Sequence, residues 1–297
     1  MQHIDISVGD DIHRVSLPSA GDEWSQGCRW GDASLLLTPA WIAKHAHMRW
    51  RLGTYSRTFG VSRRTLEEET VFCILSGFGI RAETAEAALI HLQRAGLFVT
   101  SFDRQEIETL LREPLHFADG RRARYRFPSK RAEYIHDALR RVRAFDQIGD
   151  DLALRENLLT VRGIGPKTAS FIVRNLMASD NVAILDIHVL RAGKIARIFP
   201  TNYNLARDYG RLERRFLEFS KAAQVPASIL DATIWEMTRA LDFREMAAAD
   251  RLNRALTAST GLTVPTYDPC AILDDAMVIP DRGGMDDRGQ QGLPDWR

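Results

Sequence analysis

Lys167 and Asp186 are the residues of this chain whose types and placement point past binding to catalysis. Lys167 follows directly on Gly163-Ile164-Gly165-Pro166 and precedes the apolar positions Ala169 and Phe171. Two glycines allow positive φ and let a turn's backbone lie close to another surface, while Pro166 suits a first helical position. The N–H groups exposed at such a helix start attract a phosphate. A lysine there opposes the helix dipole, so its place beside a phosphate-gripping turn is better explained by function than by stability. Partial positive charge and a semi-buried site would depress its pKa and free an amine nucleophile. Asp186 stands 19 residues later in Val182-Ala183-Ile184-Leu185-Asp186-Ile187-His188, a lone carboxylate bounded by apolar residues. A helix starts there, and an N-cap also explains the position.

The elements that must position these two residues are helices. Leu158, Leu159, Val161, Ile164, Ala169 and Phe171 frame the glycine turn with apolar spacing. They predict a helix-hairpin-helix, an arrangement that grips a nucleic-acid backbone without reading its sequence. The 3.6-residue period begins near Thr65, with stripes through Leu66, Val71, Phe72 and Leu75 and through Ala85, Leu89 and Leu92. It recurs over 131–145, 152–159, 167–177, 188–198, 205–222 and 227–241, while strand-like alternation is scarce. A length of 297 residues, at about 150 per domain, and more helices than one bundle needs predict an all-α fold with two helical lobes.

Three zones follow from composition. Residues 1–60 form an N-terminal extension holding four of the six tryptophans, Trp24, Trp30, Trp41 and Trp50. It reads as irregular structure or short strands leading to a helix near 39–50. Its aromatic rings would anchor the extension onto a core, with stacking on bases as the alternative. Residues 61–255 form the helical domain. Residues 256–297 form an acidic tail rich in proline and glycine, with seven aspartates against three arginines from Val264 onward; its second half is expected to be flexible.

Whole-chain charge announces no partner, because 40 basic residues face 39 acidic ones. Local charge differs: 112–143 holds ten basic residues against four acidic. Arg124, Arg126, Lys130 and Arg131 lie in this run with Tyr125 and Phe127 interleaved, and guanidinium groups beside ring faces suit a polyanion groove. The alternative is a solvated face whose acids arrive from elsewhere in the fold. Cys28, Cys73 and Cys270 are an odd number at wide spacing. That excludes a disulfide framework, and a four-thiolate zinc or iron–sulfur site supplied by this chain. No metal and no cofactor are expected. The opening residues carry acids and lack the apolar run of a signal peptide, and eighteen apolar residues nowhere follow one another. The expected protein is therefore cytoplasmic and stays off the membrane.

The quoted motifs also carry a resemblance. Gly163-Ile164-Gly165-Pro166-Lys167 and the segment 182–188 resemble the HhH-GPD DNA glycosylase superfamily, and within it the microbial OGG2-type 8-oxoguanine DNA glycosylase/AP lyases. Matching stretches at 68–75, 126–135, 171–176 and 229–237 keep the family's order across roughly 65–245. The resemblance implies a two-lobed helical fold, a nucleoid-associated monomer, and double-stranded DNA as partner, with a damaged base extruded from the duplex. It places the family's catalytic lysine on Lys167 and its catalytic aspartate on Asp186. The lysine would form a Schiff base at the sugar and the aspartate would steady positive charge developing there; His188 would orient Asp186 or fill the helix interior. Gly163, Gly165, Arg124, Arg126, Lys130 and Arg131 would hold DNA. Trp235 and Asp231, four apart on one helix, are the nearest candidates for the base pocket, one stacking and one accepting a proton from the base.

Two features depart from that pattern. The chain continues 62 residues past Trp235, where compact members end on a carboxylate that serves the base pocket. The tryptophan-rich extension also lies outside the match. A different modified purine, or a non-catalytic DNA-binding protein, are the alternatives, and an acidic tail that mimics DNA is compatible with the first reading.

Overall fold

An antiparallel hairpin of β1 (Gln2–Val8) and β2 (Asp11–Leu17) starts the chain in the computed structural model, with Gln2 opposite Leu17 and Ile6 opposite His13. The structure describes residues 1–259 apart from 9, 54–61, 78, 118, 146–148, 240 and 242. Ile6, Val15 and Leu17 turn inward from the hairpin, and the short strands β3 (Glu23–Ser25) and β4 (Cys28–Arg29) follow. The helix α1 (Pro39–Arg51) then begins where the Thr38 hydroxyl accepts from Trp41 N at 3.1 Å, with Pro39 in its first position. Short strands leading into a helix are what the sequence implied for this stretch.

The middle of the chain is helical. α2 (Leu66–Leu75) is started by a reciprocal capping box between Thr65 and Glu68. α3 (Ala82–Arg94) follows, and α4 (Arg104–Arg112) starts on a second box between Asp103 and Glu106. Two-residue strands β5 (Leu115–His116) and β6 (Arg122–Ala123) pair as a small hairpin before α5 (Pro128–Val142). Then come α6 (Asp151–Leu159), α7 (Pro166–Met177), α8 (Ile187–Ile195), α9 (Leu205–Ala223), α10 (Ala227–Thr238) and α11 (Phe243–Ser259). The expected spans from 131 to 241 correspond to α5 to α10, with ends shifted by a few residues. α11 carries on past residue 255, and the acidic tail beyond 259 lies outside the described residues.

Two apolar cores make the two lobes. One gathers Val71, Ile74, Leu92, Ile107, Ile135, Leu158 and Ile172, all from 66–182. The other joins the two ends of the described chain: Leu17, Trp30, Leu37 and Ile42 pack with Leu185, Phe199, Phe216, Phe219 and Leu230. Trp24 meets Phe219 edge-on at 5.1 Å between ring centroids, and Trp30 lies 5.9 Å from the same ring. Both tryptophans therefore anchor the N-terminal residues onto α9. Among the described residues no helix is long and apolar enough to cross a membrane.

Candidate active site

The glycine turn is fixed from both sides. α6 ends at Leu159 with Thr160 as its C-cap, and buried Val161 and Ile164 anchor the turn on the first lobe's core. Between them Gly163 takes φ +86°, and a Cβ built there would lie 2.5 Å from Cγ of Tyr134 on α5. Left-handed backbone and the ring each demand glycine at this position. Arg162 beside it donates an ion pair to Glu133 at 2.6 Å, tying the turn to α5 a second time. Gly165 differs: its φ is −93°, and nothing lies within 4 Å of a Cβ added to it. It N-caps α7 without a side-chain hydrogen bond, and Pro166 takes the first position. The helix start thus faces open space with no side chain capping it, which leaves its amides free for an anion.

Lys167 is the second residue of α7 and is exposed. The semi-buried setting expected for it is absent, because the first turn projects beyond the core that begins at Ala169. The ammonium still acts inward: burial pushes the thiol of Cys73 on α2 well up, the Glu69 carboxylate adds to this, and Arg64 and Lys167 oppose it. Asp186 caps α8, accepting from Val189 N at 2.8 Å, and is half-buried, as is His188 in the same turn. The two candidate catalytic residues therefore each stand at a helix N-terminus, at the two ends of the stretch formed by α7 and its exit.

The basic run divides into exposed and packed members. Arg124, Arg126 and Lys130 are exposed. Arg126 lies over the Phe127 ring at 5.0 Å and Lys130 over the Tyr134 ring at 4.8 Å. Arg131 instead turns inward: its guanidinium sits against Gly77, where a Cβ would come within 1.7 Å of Nη2, and it hydrogen-bonds Tyr125. Half-buried Arg131 thus packs against the end of α2, unlike exposed Arg124, Arg126 and Lys130. Tyr125 packs inward with it. The ring is 4 % exposed, its hydroxyl donates to Leu75 O at 2.7 Å, and burial pushes its pKa up to about 12.

Arg124 and Arg126 line a cleft of about 410 Å³ together with Arg81, Arg121, Arg122 and Glu83. Arg81 lies outside the charge window of 112–143, so a count of local charge does not include it. Arg121 is committed to Asp119 and Glu83, whereas Arg122 and Arg124 have no ion pair among the described residues.

The expected base-pocket pair is not a pair. Trp235 is 41 % exposed with Arg239 over its ring at 4.9 Å, but Asp231 is 2 % exposed. One Asp231 oxygen is ion-paired with Arg174 of α7 and the other accepts from Ile184 N at 3.1 Å. Both Asp231 oxygens are therefore engaged inside the fold, and the structure does not bring Asp231 and Trp235 together on one exposed face. Among the described residues no group of three or more histidine, cysteine, aspartate or glutamate side chains is placed to hold a metal ion.

Comparison with known proteins adds an independent line. The sequence pattern of the family described as 8-oxoguanine DNA glycosylase matches residues 50–225. An 8-oxoguanine DNA glycosylase/AP lyase of Metallosphaera sedula is 28 % identical over 209 residues, covering 65 % of this chain and 94 % of that protein. The 8-oxoguanine DNA glycosylase of Thermotoga maritima, of known crystal structure, is 24 % identical with a TM-score of 0.45, over 67 % of this chain and 89 % of that one. A Methanocaldococcus jannaschii 8-oxoguanine glycosylase/lyase, crystallised with 15mer DNA containing 8-oxoguanine, is 26 % identical with a TM-score of 0.43, over 67 % and 89 % of the two chains. Because the family pattern runs through α2 to α9 and takes in both the glycine turn and Asp186, this chain belongs to the 8-oxoguanine DNA glycosylase family.

Proposed function

We propose that this protein is a bifunctional DNA glycosylase/AP lyase that removes 8-oxoguanine from double-stranded DNA. The observation that carries the reading is an exposed amine, Lys167, in the first turn of a helix that no side chain caps. A duplex phosphate at the free amides beside Gly165 would bring the sugar-phosphate backbone to that amine. Exposed Arg124, Arg126 and Lys130 would hold further phosphates.

The reaction begins with the nucleotide rotated out of the duplex. Lys167 first gives up a proton to water. Its Nζ lone pair then attacks the sugar C1′ as the bond from C1′ to the base breaks, and the base leaves with the electron pair and takes up the proton that Nζ loses. Ring opening gives a Schiff base between Nζ and C1′. Loss of a proton from C2′ then expels the 3′ phosphate by β-elimination, and water releases the lysine. Asp186 opposes the positive charge that develops on the sugar, which its half-buried position strengthens.

Borohydride trapping tests the assignment. The wild type should become covalently joined to DNA carrying an abasic site, and Lys167→Gln should not. Equal trapping of the variant would place the nucleophile elsewhere.

A further inference from the structure

Three consecutive amides of the chain between α7 and α8 are held by side chains of α9 and α10. Ala183 N donates to Glu213 at 3.0 Å, Ile184 N to Asp231 at 3.1 Å, and Leu185 N to the Tyr209 hydroxyl at 3.3 Å. That hydroxyl donates back to Ala183 O at 2.9 Å. Each carboxylate also takes a guanidinium from the first lobe: Arg155 of α6 reaches Glu213 at 2.6 Å, and Arg174 of α7 reaches Asp231. Ser170 of α7 adds a hydrogen bond to Glu213 at 2.8 Å. Glu213 is 6 % exposed and Asp231 2 %. Ion pairs buried so deeply are weak evidence of stability, because apolar residues of the same volume hold a core as well or better. Their geometry therefore calls for another explanation.

We propose that Asp231 is a positioning residue for Asp186, fastening the chain that carries Asp186 onto the helix that opens with Lys167. The inference deepens the lyase reading and rests on it. Asp231 grips Ile184, and Asp186 N donates to Ile184 O at 3.0 Å, so the gripped residue and the capping carboxylate share one turn of chain. From the other side Asp231 grips Arg174 on α7. The far end of α7 is itself fixed, since Asn175 donates to buried Glu69 of α2 at 2.6 Å. Between Lys167 and Asp186 the strut thus runs along one rigid helix, through Arg174 and Asp231, to Ile184. Burial pushes the Asp231 carboxyl up, Arg174 and the Ile184 amide pull it down, and the nearby charge of Asp186 adds a push upward. Glu213 repeats the arrangement one residue earlier, through Ser170 and Arg155.

Two paired substitutions separate positioning from packing. Arg174→Gln with Asp231→Asn keeps an acceptor opposite Ile184 N, while Arg174→Met with Asp231→Leu keeps the volume and removes the acceptor. Single-turnover nicking of abasic duplex at saturating protein gives the rate, and fluorescence anisotropy gives the DNA dissociation constant. The Met/Leu pair should slow nicking by about 10- to 100-fold with the dissociation constant unchanged, and the Gln/Asn pair should recover most of the rate. Equal rates in the two folded variants would overturn the proposal. Asp186→Asn, measured alongside, separates this inference from the reading beneath it. If that variant nicks like the wild type, the lyase assignment of Asp186 fails and the inference with it. If it is slow while the two pairs are equal, only the strut is removed. Where the Met/Leu pair fails to fold, hydrogen exchange on the wild type decides. An Ile184 amide as slow as those inside α10 supports the strut, and exchange at the rate of an open loop overturns it.

Discussion

The ring of Tyr134 occupies the space that a side chain at position 163 would need, 2.5 Å from a Cβ built on Gly163. The turn is thereby pressed flat against α5, and its outer face is left to whatever approaches from solution. Gly163→Ala should destabilise the protein by about 1–3 kcal/mol through overpacking, with a further cost from the left-handed φ. Gly165→Ala meets no neighbour and should stay within about 0.5 kcal/mol of the wild type in thermal denaturation. A weaker DNA affinity in Gly165→Ala would then report a close approach of the DNA backbone, and an unchanged affinity would remove that residue from the interface.

Salt titrations distinguish the exposed arginines from the packed one. Arg124→Ala with Arg126→Ala should weaken DNA binding across all sequences and flatten the dependence of log K on log salt by about 0.9 per lost phosphate contact. Arg131→Ala should instead lower the melting temperature, because it empties the space between Tyr125 and Gly77. An unchanged salt slope in the first variant would make the basic run a solvated face only.

Excision of the base separates from nicking. Trp235 is the exposed aromatic candidate for stacking on an extruded base, so Trp235→Ala should cost about 1–3 kcal/mol in 8-oxoguanine release. Nicking of a pre-formed abasic site should be unaffected. Rapid nicking by the wild type with no release of 8-oxoguanine would keep the lyase chemistry and exclude the proposed base.

His45 gives the fold an acid limit. Burial, with the charges of Lys44 and Arg49 adding to it, holds its pKa down at about 4 from the usual 6.5. As pH falls through that window the unfolded chain takes up a proton that the folded imidazole resists, so stability is present above the window and is lost within it. Replacing the residue by His45→Gln should lessen the fall in melting temperature between pH 6.5 and about 4. Parallel curves for the two proteins would show that other groups set the limit.

How much of this was legible depends on whether the signal is local. The period from α5 to α10 is carried by residues three and four apart, so those helices could be read directly. α4 was missed although its start was written in Asp103 and Glu106, a reciprocal cap standing before a helix of nine residues. The hairpin of β5 and β6 has two residues per strand, too few for any alternation. The glycine turn and Asp186 were visible because type and neighbours suffice to define them. Arg131 and Arg124 look alike in a charge count, and only the fold decides which of them turns inward. Asp231 could not be read at all as an internal partner, since Arg174 lies 57 positions away; its spacing from Trp235 suggested a shared outward face instead.

The core that unites both ends of the described chain has a consequence for synthesis. Residues 66–182 hold the whole apolar core of their own lobe, so that core can close while the ribosome is still working. The N-terminal hairpin and α1 emerge first but must wait: His47 finds its acceptor at Ala223 across 176 positions, and Cys28 meets Arg215 across 187. Contacts so distant along the chain form slowly. Refolding should therefore show an early phase for the middle lobe and a late one reported by Trp24 and Trp30 fluorescence, and a nascent chain halted before α9 leaves those tryptophans without their core.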